Sequence, residues 1–164
     1  MQIFIFFMSG ALSLALLSTS INTASVNISD TETPDEVQIC CINWGVEYDI
    51  CPELLEAICY NESRYTADIE NGTCIGIMQI NEPIHKNRMK ELGVTDLKDI
   101  TQNIHVGADI ISDLFEIYGD DPAAVLMAYH GEKDPKGKAD KGNISKYAQS
   151  ILDKSAELER LHGK

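Results

Sequence analysis

Apolar residues recur at helical spacing along most of the chain. Leu55, Ile58 and Cys59 share one helical face, and Glu62 continues that face two turns after Leu55. Pro52 suits the first turn of this helix, where a missing N–H costs nothing. Gly72 breaks the chain in a polar loop, and Ile75 to Ile80 is a short apolar piece containing Gly76. A second helix is predicted over Ile84 to Leu92, stopping at Gly93. Asn103 is predicted to cap a third, with Ile104, Ile111, Leu114 and Phe115 on its apolar side. Asp121-Pro122 opens a fourth, Ala123 to His130, whose almost wholly apolar sequence places it centrally. Residues 131–143 form a charged, glycine-rich loop. A last helix starts near Ile144, with Tyr147, Ile151, Leu152 and Leu158 in phase. The predicted fold class is mainly α: one small helical domain with a short β-like segment beside the helix that ends at Glu62.

The N-terminus does not follow this pattern. Ile3 to Leu17 is one apolar run, shorter than a typical membrane span and followed by small residues. Residues 1–24 are expected to be a signal peptide, with an uncleaved anchor as the alternative because no Lys or Arg precedes the run. A lipoprotein is not expected, since the first cysteine, Cys40, lies far past it. Residues 25–39 are polar and acidic and read as a flexible linker, which leaves 40–160 as the folded domain. Export implies an extracytoplasmic location, secreted or associated with the cell envelope.

Every charged side chain follows the apolar run, so the remainder carries the full formal charge of −13. An acidic surface argues against nucleic acid as a partner. It argues equally against a free-ranging antimicrobial lysozyme drawn to anionic walls. Cys40, Cys41, Cys51, Cys59 and Cys74 lie before and around the first helix. Their odd number leaves at least one unpaired within the chain, and a Cys51–Cys74 bridge is expected, with Cys59 in the core. No cysteine or histidine spacing suits zinc, so neither metal nor cofactor is expected. His85 and His105 read as surface residues, and Trp44 is expected to pack on the first helix.

Glu62 does not suit its surroundings. A carboxylate on an apolar stripe loses hydration, and a helix C-terminus adds partial negative charge; both raise its pKa. A glutamic acid that keeps its proton near neutrality is what cleavage of a glycosidic bond requires as donor. The alternative is that Glu62 pairs with Arg64 or a nearby lysine at a helix end.

Several short segments, taken in order, bear on that choice. They are Ala57-Ile58-x-x-x-Glu62-Ser63, Gly76-Ile77-Met78-Gln79-Ile80-Asn81, Asn103-Ile104-x-x-Gly107, Ala128-Tyr129-His130-Gly131 and Tyr147-Ala148-x-x-Ile151-Leu152. Together they resemble the SLT domain of lytic transglycosylases, relatives of goose-type lysozyme, over about 100 residues. The resemblance implies a lysozyme-like α+β fold. It implies a peptidoglycan glycan strand as substrate and Glu62 as sole acid/base, cutting the MurNAc–GlcNAc bond with a 1,6-anhydro product. It also implies substrate-binding roles. Ser63 would bond Glu62 or the sugar, Met78 would form an apolar floor, and Gln79 would hold an N-acetyl or hydroxyl group, with Asn81 beside it. Tyr129 and Tyr147 would turn hydroxyls toward the glutamate or the sugar. His130 stands where the family has asparagine.

None of Asp68, Glu70 and Glu82, the nearest carboxylates in sequence, matches a family catalytic position. A transglycosylase is therefore expected ahead of a hydrolytic lysozyme of the same fold. A non-catalytic glycan-binding or scaffold protein is the remaining alternative. By analogy with single-domain members, a monomer is expected, with envelope-spanning secretion, conjugation or phage machinery as possible company.

Overall fold

The computed structural model describes residues 33–164. The expected signal peptide and most of the expected linker lie outside these residues. The chain begins with α1 (Asp35–Tyr48) and α2 (Pro52–Ser63). Three two-residue strands follow: β1 (Glu70–Asn71), β2 (Cys74–Ile75) and β3 (Ile80–Asn81). Then come α3 (Glu82–Glu91), α4 (Ile100–Tyr118), α5 (Pro122–Tyr129), the short α6 (Pro135–Ala139) and α7 (Lys146–Leu161). The architecture is the mainly helical one with a small sheet that the sequence predicts. No helix among the described residues is long and apolar enough to cross a membrane.

Helix α1 takes in the last five residues of the stretch expected as linker, because Val37 is buried against the core and anchors the first turn. Helix α2 is enclosed more fully than its single apolar stripe suggests. Every side chain from Glu53 to Cys59 is buried, since α1 and α7 pack against it from different sides. Helix α5 is buried from Ala123 to Met127 and packs on α4, α6 and α7, as its apolar sequence predicts. Leu55 and Ile58 of α2, Ile104 and Ile111 of α4, Leu126 of α5, and Ile151 and Leu158 of α7 form the centre of the core.

The sheet is antiparallel in the order β1-β2-β3, with Asn71 opposite Cys74 and Cys74 opposite Asn81. Gly72, at φ +65°, makes the tight turn between β1 and β2. One helix start differs from expectation. Asp99, not Asn103, caps α4, accepting from the Gln102 amide at 2.8 Å. Asn103 lies within the helix, and its side chain serves another purpose described below. The start of α7 falls just after Ile144, with Ser145 as cap.

All five cysteines are unbridged. The expected Cys51–Cys74 pairing is not formed, for a geometric reason. Cys51 caps the N-terminus of α2, where its thiol donates to Glu53; Cys74 sits in the sheet that follows the other end of that helix. A 12-residue helix spans about 18 Å, and a disulfide tolerates Cα separations of only about 4–7 Å. Cys59 is fully buried, as expected. Trp44 does not rest on α2: its ring stacks on His105 of α4 at 3.7 Å, and Tyr48 bonds the same imidazole at 3.0 Å. His105 is therefore half-buried rather than a surface residue, and His85 is half-buried as well.

Candidate active site

The site is built around the segment Gly76–Asn81, which passes the C-terminal end of α2 and is fastened from three helices. From α2, the Ser63 hydroxyl lies 2.8 Å from the Ile77 carbonyl and 3.0 Å from that of Cys59. From α4, Asn103 accepts from the Met78 amide at 2.9 Å and donates to the carbonyls of Ile75 and Leu97 at 2.9 and 2.7 Å. From α5, Tyr129 donates to the Met78 carbonyl at 2.9 Å. Gly76 is required twice over: its φ is +80°, and a side-chain carbon there would stand 2.1 Å from Asn103 Nδ2 and the Leu97 carbonyl. Gly107 is required because a Cβ would meet the Met78 sulfur at 2.2 Å.

These contacts separate the predicted site residues into two groups. Ser63 and Met78 are positioned inward: Ser63 is buried with its hydroxyl engaged by backbone, and Met78 is fully buried against Gly107. The Ser63 hydroxyl is spent on the Ile77 and Cys59 carbonyls rather than on Glu62, and the Met78 side chain lies in the core rather than at the cavity surface. Gln79, Asn81, Tyr129 and His130 line one cavity of about 500 Å³. Asn81 is partly spent, donating to Thr73 and capping α3 through the Ile84 amide. Gln79 adopts φ +52°, and its amide nitrogen donates to the Gly76 carbonyl at 3.0 Å.

Glu62 stands on the last turn of α2, half-buried. Tyr147 of α7 donates to its Oε1 at 2.5 Å. The His130 ring stacks on Tyr147 at 4.0 Å and 13°, which joins the carboxylate to the cavity. Burial pushes the Glu62 carboxyl above its ordinary value; the Tyr147 hydrogen bond and the His130 charge pull against burial without overcoming it. Burial likewise drives the Tyr129 and Tyr147 phenols far up, with the Glu62 charge adding to both, so each remains a neutral donor. Arg64 does not pair with Glu62. It donates to the Tyr60 carbonyl at 2.6 Å, and its guanidinium lies 4.3 Å from the centre of that residue's ring. The helix-end ion pair that would have made Glu62 an ordinary structural residue is thus absent among the described residues.

Among the described residues, the groups acting on Glu62 are Tyr147 and His130, with no second carboxylate between them. Asp68, Glu70 and Glu82 are exposed, and Glu70 pairs with Lys98. The arrangement can hold a proton beside a cavity, deliver it, and take one back.

Sequence reasoning missed two things here. One is Asn103 as the fastening of the Gly76–Asn81 segment, although its place in Asn103-Ile104-x-x-Gly107 was a visible signal. The other is the apolar far wall of the cavity, where Ile84 and Ile117 are exposed on α3 and α4.

The chain is similar to several known proteins. The family model described as Transglycosylase SLT domain matches residues 39–151. Invasion protein IagB of Salmonella typhi is 33% identical over 123 residues, covering 70% of this chain and 73% of its own. The protein named Transglycosylase of Enterobacteria phage PRD1 is 35% identical over 88 residues, covering 53% of this chain and 31% of its own. Among solved structures, an inactive mutant of the lytic transglycosylase Slt from Pseudomonas aeruginosa superposes with a TM-score of 0.66 at 15% identity. That match covers 79% of this chain and 25% of the other, and it speaks for the fold alone.

Proposed function

The chain belongs to the SLT transglycosylase family; from that premise we propose that it cuts the MurNAc–GlcNAc bond of peptidoglycan with Glu62 as its one acid/base. The observation that carries this reading is a half-buried carboxyl, raised by burial and bonded by Tyr147, whose ring stacks on the cavity-lining His130. Protonated Glu62 gives its proton to the glycosidic oxygen as the bond to the MurNAc anomeric carbon breaks, and that carbon becomes oxocarbenium-like. The Glu62 carboxylate then accepts the proton of the MurNAc 6-hydroxyl as that oxygen closes on the same carbon. One proton is lent and recovered, no water is consumed, and the product carries a 1,6-anhydro ring. Tyr147 supports the carboxylate between the two halves. Gln79 and Tyr129 line the cavity in which the sugar is held.

Among the described residues Glu62 is acted on by Tyr147 and His130 and by no second carboxylate, which favours this course over hydrolysis, since hydrolysis ordinarily needs one to activate water or form a covalent intermediate. Peptidoglycan lies outside the cytoplasm, which supports the reading of residues 1–24 as an export signal. One relative is named an invasion protein and another belongs to a phage. Those names support local opening of the wall for an envelope-crossing assembly.

The test is Glu62→Gln. The isosteric amide keeps the fold but cannot lend a proton, so clearing of purified peptidoglycan falls by about 10²- to 10⁴-fold. A folded Glu62→Gln variant that degrades the wall at the parent rate contradicts the proposal. A parent chain that binds the wall without degrading it would make the protein a glycan binder.

A further inference from the structure

We infer that His130 is a positioning residue for the chemistry at Glu62: its ring fixes Tyr147 by stacking, and its cationic form favours the Glu62 carboxylate. The inference rests on the reading of Glu62 as acid/base. It goes beyond it in assigning the residue that sets how readily Glu62 parts with its proton. His130 occupies the C-cap of α5, where the resembling family has a neutral asparagine. Its imidazole lies nearly parallel to the Tyr147 ring at 4.0 Å, and Tyr147 is the residue that donates to Glu62. An aromatic pair so arranged restricts the plane of both rings, so the Tyr147 hydroxyl is aimed by its neighbour. An asparagine offers no such face.

The second half of the argument is charge. An imidazole changes charge within the working pH range, and asparagine does not. The His130 charge acts on Glu62 in the direction of ionisation. Around His130 the titratable groups are few. Tyr147 faces it from α7, and Glu62 lies behind that ring on α2. Glu132, on its own loop, places Oε1 3.7 Å from His130 Nδ1 and is itself paired with Lys138 at 2.8 Å. Tyr129 adjoins it, and Cys74, His85, Arg88 and Asp113 share the cavity. Arg88 is paired with Asp109 and Asp113, so its charge is largely spent. His130 is thus the basic side chain whose charge acts on Glu62. Its side chain is 52% exposed, so a glycan entering the cavity meets it directly.

The consequence is a division of labour over the cycle. A cationic His130 opposes the protonated Glu62 needed to break the bond and supports the carboxylate needed to close the ring. A neutral His130 does the reverse.

Three forms of the full chain decide the matter: the parent, His130→Phe, which keeps a stacking ring without charge, and His130→Asn, which removes both. The Glu62 carboxyl is followed by carbon-detected NMR titration without substrate, and glycan cleavage is followed against pH. In both variants the Glu62 midpoint is expected above that of the parent, with the alkaline limb of the cleavage profile moving the same way. His130→Phe, which keeps a stacking face but takes the imidazole out of the cavity lining, is expected to lose less in kcat than His130→Asn. His130→Asn is expected to lose about two- to tenfold in kcat, the worth of one aromatic pair. An unchanged Glu62 midpoint in His130→Phe overturns the charge role, and an undiminished kcat in His130→Asn overturns the stacking role. If the parent cleaves no peptidoglycan, the proposed function fails instead, and the substrate-free titration still decides whether His130 governs Glu62.

Discussion

At the scale of single residues, the site depends on how Glu62 is held. Burial raises its carboxyl, and the Tyr147 hydroxyl draws it partly back. Replacing Tyr147 by Phe removes the one hydrogen bond that favours the charged form. The alkaline limb of the pH–rate profile is then expected to move to higher pH, because Glu62 keeps its proton longer. The maximal rate is expected to drop by about tenfold or more, the worth of a hydrogen bond to a charged group. A profile unchanged in both respects contradicts the role given to Tyr147. Glu62 was legible in the sequence because a carboxylate on an apolar stripe is conspicuous at helical spacing. The direction of Ser63 and Met78 was not legible, because serine and methionine suit either environment. Only the Ile77 carbonyl and Gly107, distant in sequence, decide that both point inward.

At the scale of elements, the Gly76–Asn81 segment has little secondary structure of its own and borrows its shape from α2, α4 and α5. Asn103 is the principal fastening, with three hydrogen bonds to backbone. Asn103→Ala leaves one buried donor and two carbonyls short of a partner and is expected to cost about 3 kcal/mol in a denaturant titration. Wall cleavage should fall with it, although Asn103 is no part of the cavity lining. Gly76→Ala is expected to cost at least about 2 kcal/mol from its positive φ alone, before the close contact with Asn103 is counted. A variant of either kind with parental stability contradicts the fastening. Helix positions were legible from apolar spacing, but the start of α4 was not. Asp99 and Asn103 are both good caps by residue type, and Asn103 is excluded only because its amide is committed to the segment above it.

At the scale of the whole molecule, the enclosure of α2 determines how stability varies with pH. Enclosing the helix buries Glu53 and Glu56 along with its apolar residues. Burial alone would push Glu53 up, yet hydrogen bonds from Lys164, His162 and Cys51 outweigh it and hold the carboxyl at about 2. A carboxyl depressed by folding contributes stability above its unfolded value of about 4.3 and loses it as pH falls toward 2. Thermal stability is therefore expected to decline between about pH 4 and pH 2. Deleting residues 162–164 should blunt that decline and cost about 1–2 kcal/mol near neutrality, less than a fully buried pair because Lys164 is half-exposed. Glu56 behaves oppositely. It is fully buried, and burial raises its carboxyl against the pull of the Thr33 hydroxyl. Its contribution is present below the unfolded value and lost as pH rises through the folded one. Glu56→Gln is thus expected to make stability less sensitive to rising pH, and an unaltered dependence contradicts this. None of this was legible in the sequence, where the apolar spacing of the helix marks only Leu55, Ile58 and Cys59 as buried.

In the proposed reaction one carboxyl both lends and recovers a proton, and the mass of the product reports on that directly. Purified peptidoglycan digested with the chain should release muropeptides bearing 1,6-anhydro ends, each lighter by one water than the corresponding reducing end. Fragments that carry only reducing ends would mean that water had attacked, and that Glu62 does not close the ring.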